Sequence, residues 1–331
     1  MRKRCDILPA TLQQRRFFPV LVLFAINILN FYDRFAPGSL TEPMRKEFGL
    51  SDTQIGLLGG VFIWIYALAG VPLGRAADTW SRKKLLAIGV IVWTTLTASA
   101  GLAVNFNMLL LSRMGVGVGE AVCAPSAASW LGDLFPPERR ARALALFMLG
   151  VPVGGAFSFF FSGSVAQAFG WRTAMVVAAL PAVLLLPALL MLHEPQRGAS
   201  EAGSPGITPG AEKTSLRRLL SIPTLWWIIA SGALINFIMY AIGSFLPAFL
   251  SRVHNLSLAS SGIATGAAYL TGGVCGGLLA GHLGDRIVSR RTNGRMLMAA
   301  GLAAFGAPFS YLGIVQPVGA ILFALVCLTI S

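Results

Sequence analysis

Four charged side chains interrupt apolar stretches of this sequence, and they are the residues best placed to do chemistry. Asp33 and Arg34 are adjacent in one apolar run, while Arg113 and Glu120 lie seven positions apart in another. A charge at the centre of a bilayer costs at least ~2.5 kcal/mol, so such residues normally face a cavity or a partner. Burial and a nearby arginine act in opposite directions on a carboxylate's affinity for protons. A carboxylate balanced between the two can exchange protons near neutral pH.

The spacing of Arg113 and Glu120 predicts that they share one face of a helix, about 10 Å apart along its axis. That separation is too large for a close ion pair and favours a site spread along a cavity. Asp33 lies near the end of its run, where we expect partial hydration, so Glu120 is the stronger candidate for proton exchange. In the alternative interpretation, the four charges only join helices to one another.

The composition indicates a polytopic membrane protein. The 331 residues are 55% hydrophobic and 12% charged, against roughly 25% charged residues in a soluble domain. The net charge of +13 is confined to short loops, which is typical of membrane orientation and does not indicate nucleic-acid binding. The four cysteines have no metal-ligand spacing, so we expect no metal and no cofactor, only a proton as coupling ion.

Apolar runs of the length needed to cross a bilayer, about 20 residues, occur nine times. The sequence therefore predicts an all-α fold with nine spans and part of a tenth. The predicted spans are Phe17–Pro37, Ile55–Gly74, Leu85–Val104, Met108–Leu131, Ala143–Phe169, Thr173–Leu192, Leu225–Leu250, Ser261–Leu283 and Met296–Ile314, and the tenth begins near Pro317 and is still apolar at Ser331.

The basic residues predict the orientation. Twenty of the 26 lie in the 1–16 tail or in loops after even-numbered spans, and four lie in the other loops. This asymmetry places the N-terminus in the cytoplasm. The polar segment 193–219 is predicted to be a linker. It divides a six-helix bundle, 17–192, from a partial second bundle, 220–331, so we expect the chain to stop inside its second half.

A short basic loop between spans two and three has a counterpart after span eight. Both copies have the spacing Gly-x-x-x-Asp followed by basic residues, which suggests two related halves, as in many transporters. In the alternative interpretation, both are ordinary basic loops. The residues of the two copies are Gly74, Asp78, Arg82 and Lys83 in the first and Asp285 and Arg286 in the second.

Small residues in spans four and five predict close helix contacts. Gly117 and Gly119 lie in span four, and Gly150 and Gly154 lie in span five. Such residues let helix backbones approach one another. Pro152 is expected to bend span five.

Several segments resemble signatures of the major facilitator superfamily. Gly74–Lys84 is similar to its loop 2–3 signature, with Thr79 and Ser81 as departures. Arg113-x-x-x-Gly117-x-Gly119 resembles its span-four signature, and Gly150–Gly155 its span-five signature.

Four further segments are similar to the spinster branch of that superfamily. This branch includes animal exporters of sphingosine-1-phosphate and lysophospholipids, and many bacterial relatives. The resemblance implies twelve helices in two six-helix bundles that move by alternating access. The segments are Asn30–Arg34, Leu50–Leu58, Gly117–Ala121 and Glu194–Gly198.

The resemblance also implies roles for individual residues. Asp33 and Glu120 would couple protons, while Arg34 and Arg113, with Asn30 and Tyr32 beside them, would bind substrate anions or act as switch partners. The cytoplasmic gate would be formed by Gly74, Asp78, Arg82, Lys83, Asp285, Arg286 and Arg142. Within it, Asp78 would meet helix eleven, which this chain lacks, and Asp285 would meet helix five near Arg142. Aromatic side chains would offer surface for an apolar tail, about half of them facing lipid or other helices: Phe31, Tyr32, Phe62, Trp64 and Tyr66.

We therefore expect a proton-coupled transporter of an amphiphilic, anionic small molecule or lysolipid. It would act as a monomer in the inner membrane of a bacterium, among membrane lipids, without nucleic acid. Two alternatives stay open: a sugar, organic-acid or drug carrier, and a truncated fragment that does not transport. An enzyme is not expected, because the sequence has no nucleophile elbow, zinc-protease motif or phosphate-binding loop.

Overall fold

The computed structural model describes residues 10–200, 220–288, 294–315, 317 and 319. Over these ranges the chain forms thirteen α-helices and no strand. The helices are α1 Ala10–Ser39, α2 Thr41–Phe48, α3 Asp52–Thr79, α4 Arg82–Ala100, α5 Phe106–Glu120, α6 Cys123–Leu134, α7 Pro137–Met148, α8 Gly150–Phe169, α9 Trp171–Ala179, α10 Pro181–Met191, α11 Pro223–Val253, α12 Leu258–Val288 and α13 Gly294–Val315.

The predicted spans and the observed helices agree closely. Eight helical segments of the described chain are long and apolar enough to cross a membrane, and they coincide with the first eight predicted spans. In α13 the apolar stretch is shorter, Met296–Gly306. The tenth predicted span lies outside the described residues. The all-α membrane fold predicted from hydropathy is therefore confirmed.

Two spans are interrupted where proline removes a backbone donor. Span four changes from α5 to α6 at Ala121, and Pro125 has no N–H to donate to the Ala121 carbonyl. Span five changes from α7 to α8 at Leu149, and Pro152 likewise cannot bond to the Met148 carbonyl. The first interruption leaves Glu120 as the last residue of α5, next to a helix end.

The first half of the molecule, α1 to α10, is built around large buried side chains. Trp93 of α4 and Trp130 of α6 are fully buried, and Phe62 of α3 and Phe147 of α7 are 1% exposed. All four belong to one apolar cluster that draws on helices from α1 to α10. The buried members of this core all lie at or before residue 192, and Tyr240 of the second half packs against it.

The second half, α11 to α13, meets the first half mainly through α12 and α8. Glycines bring these two helices into backbone contact. A Cβ added to Gly262 would lie 2.5 Å from the Phe159 carbonyl oxygen, and one added to Gly266 would lie 2.8 Å from that of Ala156. Larger side chains would therefore force the two helices apart.

The two halves are joined at one end of the molecule. We call this end, which carries α2, the α2 face, and the opposite end the Arg82 face. At the α2 face, Arg252 of α11 donates to Glu42 at 2.5 Å and to Asp52 at 2.8 Å. Toward the Arg82 face, α11 is largely exposed, with Trp227 76% accessible. The described helices therefore close the α2 face and diverge toward the Arg82 face.

Candidate functional site

A buried ion pair links α1 to the end of α5. Arg34 Nε donates to Glu120 Oε2 at 2.9 Å, and its Nη2 lies 2.8 Å from the same oxygen. The side chain of Glu120 is 0% exposed and that of Arg34 is 6% exposed. Each charge is therefore compensated by the other and not by water. Glu120 forms no ion pair with Arg113 in the described chain, in keeping with their spacing along the helix.

The Arg34 guanidinium is held on its edges and its faces. Nη1 donates to the Tyr240 hydroxyl at 3.0 Å, and Nη2 donates to Asn30 Oδ1 at 3.1 Å. The rings of Phe31 and Tyr66 lie 4.3 Å and 4.7 Å from its central carbon. These cation–π contacts and hydrogen bonds fix the plane of the guanidinium, so its orientation toward Glu120 is set before any ligand arrives.

Asp33 is fully buried, and the expectation that it is partly hydrated was wrong. Its side chain is 0% exposed, and neither carboxylate oxygen has a hydrogen-bond partner among the described residues. The reason is that α1 continues to Ser39, and Leu40 and Met44 of the next segment pack over its end. Asp33 is therefore a carboxylate in the interior of the bundle without a bonded partner.

Arg113 is a buried cation without a paired carboxylate. It is 5% exposed, and no carboxylate in the described ranges lies within 4 Å of it. Its polar contacts are long, 3.5 Å to the carbonyl oxygens of Asp33 and Arg34. Its guanidinium carbon lies 5.0 Å from the centre of the Phe62 ring. Arg113 therefore has unused capacity to bind an anion.

A cavity of about 40 Å³ lies beside the two arginines and extends toward the α2 face. A cavity needs at least about 10–15 Å³ to hold one water molecule, whereas drug-sized ligands occupy roughly 300–1,000 Å³. In this conformation the site therefore has room for water but not for a ligand of that size. Its polar and aromatic lining comes from Arg34, Phe35, Phe62, Arg113, Tyr240, Thr41 and Ser244.

Some predicted site residues face elsewhere. The Tyr32 carbonyl accepts from Ser158 Oγ at 2.7 Å, and the Tyr32 hydroxyl accepts from Ser162 at 3.3 Å. Both serines lie on α8, so Tyr32 joins α1 to α8 and does not line the cavity. Trp64 is 72% exposed, so it also lies away from the arginines.

The glycines of spans four and five lie at close helix crossings. A Cβ on Gly117 would be 2.9 Å from the Phe62 carbonyl oxygen, and one on Gly119 would be 2.8 Å from the Trp93 nitrogen. Gly150 and Gly154 face α1, and a Cβ on Gly154 would be 3.0 Å from that of Phe31. These contacts bring α3 and α4 close to α5, which carries Glu120, and bring α8 close to α1, which carries Tyr32.

A second charged cluster lies at the Arg82 face, and its arginine is fully buried. Arg82 donates to Glu194 at 3.0 Å and forms an ion pair with Asp133. Burial alone would raise the pKa of Glu194. Hydrogen bonds from Ser81 Oγ and from the backbone N–H groups of Arg82 and Lys83 outweigh this effect and lower that pKa to about 2. The carboxylate is therefore held in its ionised form at the start of α4.

The remaining predicted gate residues are not assembled into one site. Lys83 donates to the carbonyls of Leu190 and Leu192 at 3.1 Å and 3.0 Å, at the end of α10. Asp78 is exposed and forms no ion pair with a described residue. Gly74 lies half-buried within α3, Arg142 and Arg286 are exposed, and the side chain of Asp285 lies outside the described residues.

Three contributors were missed in the sequence. Tyr240 is embedded in the apolar run of span seven, where nothing local distinguishes it. Asp133 follows span four and Glu194 follows span six, and their acidic character at span ends, opposite the basic loop 2–3, was the available signal. Pairing of opposite charges at the same membrane face would have suggested the Arg82 cluster.

The fold and the sequence together identify the family. The model of the Major Facilitator Superfamily matches residues 23–331, so the chain belongs to that superfamily. The members related to this chain are transporters and not enzymes. It is a multi-pass membrane protein.

Its relatives confirm the spinster-type branch. An MFS-type efflux pump of Mycolicibacterium smegmatis is 34% identical over 84% of this chain and 64% of its own length. Protein spinster homolog 3 of Danio rerio is 32% identical over 72% of this chain and 49% of its own length. The chain therefore spans between half and just under two thirds of these relatives.

A solved structure is similar to this chain over almost its whole length. It is a bacterial homologue of the human lysosomal transporter spinster, described in an inward-facing and unoccupied conformation. The TM-score is 0.77 at 29% identity, covering 96% of this chain and 72% of that structure.

Proposed function

We propose that this chain belongs to a proton-coupled secondary transporter of an amphiphilic, anionic small molecule or lysolipid in a bacterial inner membrane. The observation that carries the proposal is the group of four charges in the interior of the bundle. Glu120 is bound by Arg34, whereas Asp33 and Arg113 have no ionic partner within the described chain. Such an incomplete set can gain a proton or an anion without first losing a stable partner.

The proton step is assigned to the two carboxylates. A buried ionised carboxylate without a hydrogen bond is costly, so we infer that Asp33 carries a proton in this conformation. Glu120 accepts hydrogen bonds from Arg34, and we infer that it is ionised. A proton that reaches Glu120 removes that negative charge and releases Arg34. Removing one charge from the membrane interior is worth several kcal/mol, enough to shift an equilibrium between two conformations.

The substrate step is assigned to Arg113. Its guanidinium lines the cavity and lacks a carboxylate, so an anionic head group would complete its pairing. The aromatic rings of Phe31, Phe62 and Tyr66 lie around the two arginines and offer apolar surface for the adjoining part of the ligand. An amphiphilic anion matches both features.

With the predicted orientation, the Arg82 face is cytoplasmic and the α2 face is outside. The observed arrangement is then closed to the outside, and alternating access requires the contacts of Arg252 with Glu42 and Asp52 to break. The small cavity beside Arg34 would hydrate the charges from the outside before opening.

Transport measurements on the protein in liposomes test the proposal. The flux of anionic and zwitterionic lysolipids should rise when a pH gradient is applied. Glu120→Gln should lose this gradient-driven component at least about tenfold, because the amide cannot exchange the proton. Glu47→Gln is the matched control, because Glu47 is bound to Arg172 at the α2 face, away from the cavity. Normal coupled flux in Glu120→Gln would refute the proton role.

Arg113→Ala tests the substrate role in the same assay. Its affinity for anionic lysolipids should fall more than its affinity for zwitterionic ones, by about tenfold for loss of a charged hydrogen-bond donor. Arg172→Ala, a substitution at the protein surface, should leave both unchanged. Equal losses for both lipid classes would exclude head-group recognition by Arg113.

The second candidate is a carrier of a different solute in the same superfamily. The similarity to an efflux pump over 84% of this chain favours it. Adding organic acids, sugars and lipophilic drugs to the flux panel separates the two candidates, because a lysolipid carrier should not move a short organic acid.

A further inference from the structure

Tyr240 connects the buried ion pair to the second half of the molecule. Its hydroxyl accepts a hydrogen bond from Arg34 Nη1 at 3.0 Å across a separation of 206 residues. In the described chain, the other side chains that accept hydrogen bonds from Arg34 are those of Asn30 and Glu120. Both belong to the first half. Among the described residues, Tyr240 is therefore the contact through which α11 meets the Arg34 guanidinium.

The position of Tyr240 is set by residues from both halves. Its ring centre lies 6.0 Å from that of Phe35 and 6.4 Å from that of Phe62. The preceding carbonyl, that of Met239, accepts a hydrogen bond from the Tyr269 hydroxyl at 3.0 Å. Because this bond ties α11 to α12 within the second half, a movement of the second half would carry Tyr240 away from Arg34.

The bond from Arg34 to Tyr240 uses the same guanidinium as the bond to Glu120, but a different nitrogen. While Glu120 Oε2 holds Nε and Nη2, the remaining Nη1 points at α11. Loss of the Glu120 charge would let the guanidinium turn and would leave Tyr240 without its donor. The rings of Phe31 and Tyr66 would no longer suffice to keep the plane aimed at α11.

We propose that Tyr240 is a positioning residue that couples the state of the Arg34–Glu120 pair to closure of the α2 face. When the pair is intact, Arg34 holds α11 against the first half. When the pair is broken, this hold is lost and the α2 face opens. The inference rests on the proposed function for its biological use, but it concerns a conformational equilibrium that exists without substrate.

The equilibrium can be measured as a distance across the α2 face. Asn107 at the start of α5 and Val253 at the end of α11 are both exposed, and they belong to different halves. Cysteines at these positions, with the four native cysteines replaced by serine, would carry spin labels in lipid nanodiscs. Pulsed EPR then reports the ratio of open to closed molecules for Tyr240→Phe, Glu120→Gln and their combination.

Tyr240→Phe should raise the open-to-closed ratio by about tenfold, as expected for loss of one hydrogen bond to a charged group. Glu120→Gln should raise it as well, and the double variant should go no further than Glu120→Gln alone, because both act through one guanidinium. Arg252→Gln is the matched control: it removes a contact between the two halves that does not involve Arg34, and its effect should add to that of Glu120→Gln.

Three results would overturn the proposal: an unchanged ratio in Tyr240→Phe, an unchanged ratio in Glu120→Gln, or additive effects of the two. None of these depends on finding a substrate. If lysolipid flux were absent but the distances changed as expected, the proposed function would be contradicted. The role of Tyr240 would then still stand.

Discussion

Arg34 and Arg82 are both buried arginines bound to carboxylates, yet their surroundings are opposite in kind. Arg82 donates to Glu194, Ser129 and Pro195 and pairs with Asp133, and these partners lie in the first half or directly after its last helix, α10. Arg34 binds one carboxylate of the first half and one hydroxyl of the second.

The difference extends to the carboxylates. Both oxygens of Glu194 accept hydrogen bonds, and Asp133 also accepts one from the Gly198 backbone. In contrast, Glu120 Oε1 and both oxygens of Asp33 are buried without a partner in the described chain. A cluster whose carboxylate oxygens are all hydrogen-bonded holds its helices together permanently, because any change of protonation or partner breaks hydrogen bonds. An unsaturated one can change its protonation or its partner, which is what a transport cycle requires.

The largest effect should come from Arg82→Ala. It leaves the partly buried Asp133 and Glu194 without their cation, which should cost about 3–5 kcal/mol. Thermal unfolding in detergent measures this loss. Arg34→Met should cost less, because Glu120 can respond by taking up a proton. If Arg34→Met proves the more destabilising of the two, the contrast between the clusters is wrong.

The pH dependence of Glu194 should follow from its lowered pKa. The folded value is about 2 and the ordinary value is 4.5, so its contribution to stability is complete above pH 4.5. That contribution is lost as the pH falls from there toward 2. Wild-type protein should therefore lose more of its melting temperature over this range than Glu194→Gln. Parallel acid curves for the two proteins would show that the ionised form is not favoured by folding.

A smaller effect is expected from Arg252→Gln, which removes the bonds from α11 to Glu42 and Asp52. These groups are partly exposed, and such pairs contribute about 0.2–1 kcal/mol each. The open population at the α2 face should rise a few-fold in the spin-label measurement. Arg172→Gln is the control, since Arg172 binds Glu47 and Ala103 within the first half. An equal shift in both variants would mean that Arg252 does not act between the halves.

Asp78→Asn should have the smallest effect. Its side chain is exposed and forms no ion pair with the described residues, so its stability should change by no more than about 0.5 kcal/mol. Chemical denaturation of the 331-residue chain measures this. A marked loss would reveal a partner for Asp78 that the described ranges do not contain.

Hydropathy was sufficient to predict the first eight membrane spans. Each of the first eight predicted spans overlaps an observed one, because burial in lipid requires a long apolar run whatever the helix packs against. The interruptions of spans four and five near Ala121 and Leu149 were harder to predict, since a proline bends a helix by an amount that depends on its neighbours. The four buried charges were also visible, because few residue types are so costly in an apolar run.

The partners of the buried charges were not predictable from the spacing of these residues in the sequence alone. Arg34 and Glu120 are 86 positions apart, and Arg34 and Tyr240 are 206 apart. Which side chain Arg34 meets depends on the rotation of α1 about its axis, which is set by close contacts such as that of Gly154 with Phe31. The same rotation turned Tyr32 toward α8 and enclosed Asp33.

Glu194 lies just after α10, the last helix of the first half. It accepts hydrogen bonds from Ser81 and Arg82 at the beginning of α4. During synthesis, this tie can form only after residue 194 has left the ribosome, and it requires nothing that is translated later. The nascent first bundle would thus remain open at the Arg82 face until its final helix is inserted. It would then lock as a unit before α11 enters the membrane.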